Sequence, residues 1–412
     1  MKKTYLLLFF LIYTLSSSQR TCGTPIKMNN FFREHPEMVN YSKELRKFLE
    51  TPSSIQKRTV GGVITVPVVV HVLYKNSTQN ISDAQILSQI AVLNDDFRKA
   101  NSDFSTVVPT VFQPYGADLQ IAFCMATKDP NGLATNGIVR KSVATSFDFD
   151  NDYYKPSGDL AWDTTKYLNI WVGSFTDNTL LGFAYLPDAA GQPYDGLCIG
   201  YKYFGTTGTA AFPFNKGRTA THEIGHYFGL NHPWGEDGST CGAANNDDGV
   251  ADTPGTNNPY YGSPTFPDSS KVCNTVTYPN GAMFMNYMDY VNDANMAFFT
   301  AGQKVITSNT LVGPRASLYN SNGCASMSTS EIDKIDKIKI YPNPSSQYIS
   351  VSSPLVNVDE IEVFDNSGRL VLSKTNILPQ EKIDIKNLAV GIYYIRIYSK
   401  GSLLKSEKII KQ

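Results

Sequence analysis

The sequence predicts an α/β domain followed by a small all-β sandwich. Two observations carry that division. Between Thr59 and Met288, β-branched runs alternate with stretches of helical periodicity, whereas from about Lys334 onward only short alternating strands remain. A small-residue stretch, "SNGCASMSTS", separates the two patterns.

The chain has 412 residues, 42% of them apolar, enough for more than one core. Its formal net charge is -1 and no run of Lys or Arg stands out, which argues against a nucleic-acid footprint or a polybasic membrane patch. The start, "MKKTYLLLFFLIYTLSSSQ", pairs two lysines with an apolar stretch from Tyr5 to Leu15 and then small polar residues. That is the layout of a secretory signal over residues 1–18, too short to span a bilayer as a mature helix. Residues 19–57 are polar and charged, partly helical in pattern and with little to bury, as in a pro-segment.

The α/β domain is expected over 58–320. "VPVVVHVLY" reads as a strand, and "ISDAQILSQIAVLNDDFRK" as a helix with Ile86, Ile90 and Leu93 on its buried face and a capping box of Ser82 with Gln85. "DLQIAFCMA", "YLNIWVGSF" and "GLCIGYKYF" read as further strands. After Met288 the helical signal fades. A linker over 321–335 then leads to the sandwich, 336–412, whose strands are broken by Pro-Asn-Pro, Asn-Ser-Gly and Lys-Gly turns.

Three of the five histidines fall in "THEIGHYFGLNHPWG", residues 221–235. On a helix His222 and His226 lie one turn apart on one face and can reach a single metal ion. Glu223 is rotated by about 100° from His222, so it is poorly placed as a third ligand but well placed beside a water on that ion. Gly229, lacking Cβ, can take a left-handed conformation, end the helix and bring His232 back as the third ligand. Three neutral imidazoles make an open zinc site with a fourth position for water. The cation lowers that water's pKa toward about 7, and Glu223 takes its proton as general base, which implies hydrolysis. A closed structural zinc would call for a cysteine or a fourth side chain, and an adhesin built on the same scaffold would have no need of Glu223. His71 reads as a satisfied core residue and His35 as a surface one.

At "HEIGHYFGLNH" the chain resembles the metzincin metallopeptidases, which implies a mixed sheet, a zinc helix and a methionine turn beneath the metal. "MNYMDY" supplies that turn with Met288, and Tyr290 matches a tyrosine that several metzincin branches place beside the zinc, where its phenol can stabilise an oxyanion. Within metzincins the pappalysins are the nearer match, through "DDGVADTP", Cys241 with Cys273, "NYMDY" and "ISDAQILSQIAVLNDDFR". Pro233, directly after the third histidine, departs from that pattern and is shared with serralysins, whose glycine-aspartate calcium repeats are absent here.

The resemblance carries further expectations. Asp248, Asp252 and Thr253 would bind Ca²⁺ through hard oxygens, the alternative being a solvated acidic turn or Asx caps. A Cys241 to Cys273 bridge would hold the segment between zinc helix and methionine turn, contributing roughly 3 to 4 kcal/mol. Cys22 in "RTCGTP" resembles a pro-segment cysteine that occupies the water position on zinc, the alternative being an ordinary disulfide. Cleavage at Lys57 or Arg58 would then activate the enzyme. Asp293 would lie at the base of a pocket for the Arg or Lys after the scissile bond, the alternative being a surface or capping carboxylate. "LGFAYLP", Leu181 to Pro187, matches the sheet edge on which metzincins lay an extended peptide, and could equally be core. The C-terminal strands resemble type IX secretion sorting domains of Bacteroidetes, implying export and passage to the secretion machinery.

Overall fold

The computed structural model describes residues 19–52, 62–235, 241, 247–319, 321–324, 337–353, 357–366, 369–378, 380–399 and 402–412. The secretory signal, Lys57 and Arg58, and most of the linker lie outside these residues. Among the described residues no helix is long and apolar enough to cross a membrane.

The α/β domain is built on one seven-stranded sheet. Its strands are β1 (Thr21–Cys22), β2 (Ile64–Tyr74), β3 (Ile121–Met125), β4 (Ile138–Ser142), β5 (Leu168–Gly173), β6 (Leu180–Ala184) and β7 (Leu197–Gly200). Their order is β1-β6-β7-β5-β2-β3, with β4 also paired to β2. β6 runs antiparallel to β7 while the other named pairs are parallel, so the sheet is mixed, as the resemblance implied. β2 is buried on both faces, which explains its nearly unbroken β-branched composition.

The helix α3 (Asp83–Phe97) buries Ile86, Ile90 and Leu93 as its periodicity predicts. Ser82 caps it by accepting from the Gln85 backbone N–H. The reciprocal half of the capping box is not made. The Gln85 amide instead donates to the carbonyls of Tyr201 and Phe204, tying α3 to the loop beyond β7.

The chain between residues 19 and 52 departs from the sequence expectation that it has little to bury. Its helices α1 (Thr24–Glu34) and α2 (Met38–Glu50) bury Met28 and Phe31, and Leu45 and Leu49, respectively. Asn309 donates to the carbonyls of Phe48, Leu49 and Thr51, closing the C-terminal end of α2. Asn309 belongs to a second surprise, a helix over Ala301–Val312 where the helical signal fades. A complete capping box of Thr300 and Gln303 starts it, and both side chains are buried.

Two bridges close the fold. Cys241–Cys273 forms as expected, and Cys124–Cys324 ties the stretch read as linker back to β3. Cys22 and Cys198 are buried and free, so the disulfide alternative for Cys22 does not hold. The C-terminal region is all-β, with a three-stranded sheet (Lys339–Tyr341, Tyr348–Ser352, Ile383–Asp384) and a four-stranded one (Leu370–Thr375, Glu360–Asp365, Gly391–Ser399, Ser402–Lys411). Ile349, Ile361, Val363, Ile395 and Ile397 form the centre of its core.

The histidine helix, Arg218–Tyr227, is fully buried and ends as its sequence dictates. Gly229 has φ +90°, its N–H bonds to the His226 carbonyl at 2.8 Å, and the Leu230 N–H reaches back to the Gly225 carbonyl at 3.0 Å. This two-bond closure reverses the chain and returns His232. A Cβ on Gly229 would meet Thr310 Oγ1 at 3.0 Å and Leu49 Cδ1 at 3.1 Å. Gly229→Ala is therefore expected to cost about 1 to 2 kcal/mol from the left-handed backbone alone. Thermal unfolding and zinc affinity, measured together, should both fall.

Candidate active site

Three imidazoles converge above β6. His226 Nε2 lies 3.1 Å from His232 Nε2, which lies 3.2 Å from His222 Nε2. The other ring nitrogens of the helix pair face carbonyls. His222 Nδ1 is 2.7 Å from the Tyr287 oxygen and His226 Nδ1 is 2.7 Å from the Leu230 oxygen, so each Nδ1 carries the hydrogen and donates it. Burial, followed by the neighbouring His226 and His232, holds His222 well below the usual imidazole range. It is therefore neutral, with a bare lone pair at Nε2.

Three Nε2 atoms gathered this closely suit a cation held between them. Tetrahedral zinc with Zn–N of about 2.0 to 2.1 Å requires nitrogens roughly 3.3 Å apart. The donor chemistry and the spacing both fit that ion. Cys22 Sγ completes a buried set with the three histidines, all four donor atoms lying within 4.8 Å of one another. Among the described residues no other cluster of this kind occurs.

Glu223 lies against this set from the helix side. Its Oε2 accepts from Cys22 Sγ at 3.2 Å and from Thr24 Oγ1 at 3.3 Å. Burial, then the Glu223 charge, raises the Cys22 thiol well above its ordinary value. Gly182 of β6 allows the approach: a Cβ there would meet Glu223 Cγ at 3.1 Å. Beneath the helix Met288 is fully buried, and a Cβ on Gly225 would clash with its sulfur. The ring of Tyr290 packs on His222 and His232, with centroids 5.6 and 5.0 Å away. Trp234, which the sequence reading passed over, stacks on His232 at 4.5 Å and 8°.

Asp293 is completely buried. It accepts from the backbone N–H groups of Lys216 and Arg218 at 2.8 and 3.2 Å, and its Oδ1 lies 2.5 Å from Arg20 Nη2. Arg20 Nη1 donates to Thr219 Oγ1 at 3.2 Å, and its guanidinium lies 5.0 Å from the Phe214 ring centre. Arg20 was not singled out from the sequence, although its position two residues before Cys22 was visible. The backbone contacts fit the capping alternative for Asp293, and the carboxylate also pairs with the buried guanidinium of Arg20.

The edge strand is equally plain. β1 lies along β6, with Thr21 opposite Leu180, Cys22 opposite Gly182, and the Gly23 N–H bonded to the Gly182 carbonyl at 2.9 Å. "LGFAYLP" is thus both buried and an edge to which an extended segment adds.

Asp248, Asp252 and Thr253 are engaged by other protein groups. Asp252 accepts from Thr300 Oγ1 and the Gly302 N–H, so both oxygens cap the Ala301–Val312 helix. Asp248 accepts from the Val250 N–H and Thr253 Oγ1, and burial raises its carboxyl well above the usual range. These contacts are those of the Asx-cap alternative. His71 meets the core expectation, being buried and held between Asp159 and Asn169.

The fold and the histidine cluster together define a metallopeptidase. A family model described as pregnancy-associated plasma protein-A matches residues 154–311, and one described as a secretion system C-terminal sorting domain matches 339–412. Extracellular metalloproteases of Arthroderma benhamiae and Verticillium alfalfae are 29% and 30% identical over 294 and 258 residues, covering 70% and 60% of this chain and 89% and 75% of the relatives. Promirolysin of Tannerella forsythia, solved as a mutant, superposes with a TM-score of 0.63 at 40% identity, over 73% of this chain and 96% of the other. Mature mirolysin with a cleaved peptide does so with a TM-score of 0.58 at 43% identity, over 65% and 99%. The chain belongs to the pappalysin family of metallopeptidases.

Between Met288 and Tyr290, Asp289 is buried, and burial raises its carboxyl to about 7 despite N–H donation from Tyr260 and Tyr290. A carboxyl raised on folding binds more protons folded than unfolded, so its contribution to stability is present at low pH and lost as pH rises toward 7. Asp289→Asn keeps the acceptor and removes the charge. Denaturant melts should show this variant more stable than the parent at pH 8, by up to about 4 kcal/mol, with the gap closing at pH 4.

Proposed function

We propose that the protein is an exported zinc endopeptidase that cleaves before a basic residue and is held latent by its own residues 19–52. The observation that carries this reading is the single buried point at which His222, His226, His232 and Cys22 meet beside Glu223. His222, His226 and His232 would hold the zinc. When bound, zinc supplies Lewis-acid chemistry, polarising a carbonyl and lowering the pKa of a water toward about 7.

Glu223 is the proton carrier at Oε2, taking a proton from the attacking water and delivering it to the departing amine. The Tyr290 phenol donates to the oxygen that gains charge as the carbonyl is attacked. β6 orders the substrate backbone, and Asp293 draws a cationic side chain into the pocket next to the reacting bond. Met288 supports the floor. His232, sandwiched by Trp234, is fixed in orientation.

Latency follows from the same contacts. Arg20 fills the specificity pocket, Cys22 takes the open donor position and the proton site of Glu223, and Thr21–Cys22 cover the sheet edge. Release of this segment, after cleavage at Lys57 or Arg58, exposes all three at once. The C-terminal domain is read as the export address, consistent with its family match. The extracellular location of the relatives supports the same reading.

Glu223→Gln tests the chemistry. Activated protein with this change should lose about 10²- to 10⁴-fold in kcat while keeping its zinc and its melting temperature. Equal activity in parent and variant would refute the assignment. A peptide library tests the pocket: cuts should fall before Arg, and Asp293→Asn should lower kcat/KM for such peptides about 30-fold or more, since a buried cation loses its partner. Cleavage without regard to the residue after the scissile bond would remove the role of Asp293.

A further inference from the structure

We propose that the aromatic groove now filled by α1 becomes, in the activated enzyme, a binding site for bulky apolar side chains four to six residues before the scissile bond. This rests on the peptidase reading above, because it uses the direction which that reading gives to the cleft. Three side chains of the bound segment mark positions along it. Arg20 lies in the pocket for the residue after the scissile bond, Cys22 lies at the histidines, and Thr24 bonds through Oγ1 to both the N–H and the carbonyl of Ala184 at 3.0 Å. The start of α1, which follows Thr24, therefore lies on the side that receives residues preceding the bond.

There the wall is apolar and already built. Met28 and Phe31, three residues apart on one face of α1, are each only 4% exposed. They form one cluster with Ala189, against which Tyr185, Leu186 and Tyr194 pack together with Phe32 and Met38 of the bound segment itself. Tyr185 directly follows β6, so the groove continues the edge on which a substrate backbone would lie. The walls do not depend on α1 for their support. The rings of Tyr185 and Tyr194 meet at 4.8 Å, and the buried Tyr153 hydroxyl donates to the Tyr194 carbonyl at 2.9 Å. When α1 leaves, an apolar surface is uncovered in line with the catalytic cleft.

The reach follows from chain geometry. Gly23 alone separates Cys22 from Thr24, and helical rise places Met28 and Phe31 roughly 6 and 10 Å beyond Thr24, a total that an extended substrate spans in about four to six residues counted from the scissile bond. The bound segment lies parallel to β6, with its N-terminal end toward the pocket. A substrate with its later residues in that pocket crosses the groove in the opposite direction. The match is consequently one of side-chain type, a large apolar or aromatic pair, and not of residue order.

The experiment uses zinc-loaded, activated protein and fluorogenic peptides with one common scissile bond before Arg. One is short, one extends upstream with Phe and Met at the fourth to sixth positions, and one extends with Gly and Ser. The apolar extension should raise kcat/KM about tenfold or more over the Gly/Ser extension, chiefly through KM. Tyr194→Ala should shrink that ratio toward one. Equal kcat/KM for the two extensions, with the short peptide still cleaved before Arg, would overturn the groove while leaving the peptidase reading in place. Failure to cleave the short peptide would overturn both.

Discussion

Three buried imidazoles bring their Nε2 atoms together at one point, and much of the fold serves to keep them there. Two of the rings give their single hydrogen to a carbonyl on the far side, from Tyr287 for His222 and from Leu230 for His226. The choice of tautomer is thus made by backbone, before any ion arrives. Tyr287 is itself held by Asp96, which also accepts from Thr221 and pairs with Arg218 of the same helix. Burial raises Asp96 to about 6 against the pull of Arg218, a sign of how dry this support is.

In the proposed latent state, Arg20, Cys22 and Thr24 would occupy the pocket, the donor point and the edge strand that catalysis needs, while α2 is fastened elsewhere. Its Arg46 donates to the carbonyls of Gly229 and Asp248, and its C-terminal carbonyls are taken by Asn309. The segment is thereby anchored at the cleft and again at the turn that returns His232.

Much of this was legible in the sequence, and unevenly so. The spacing of His222, His226, Gly229 and His232 is dense local information, because a helix and one left-handed residue convert it directly into a three-point site. β2 and α3 were equally readable from alternation and period. What escaped was set by distant partners. The Ala301–Val312 helix has a weak apolar stripe because Asn309 and Thr310 face buried carbonyls, yet its Thr300 and Gln303 capping pair was there to be read. Residues 19–52 looked too polar to pack, since only four large side chains across two helices carry the burial. Asp252 shows the converse: a carboxylate in an acidic loop proves to cap a helix 50 residues away.

Metal content of the intact, full-length chain tests the central claim most directly. Elemental analysis of folded protein should find one zinc per chain, and His226→Ala should abolish it while the C-terminal domain stays folded. Well-folded parent protein without stoichiometric metal, or with zinc undiminished in the His226 variant, would contradict a cation held by these three rings.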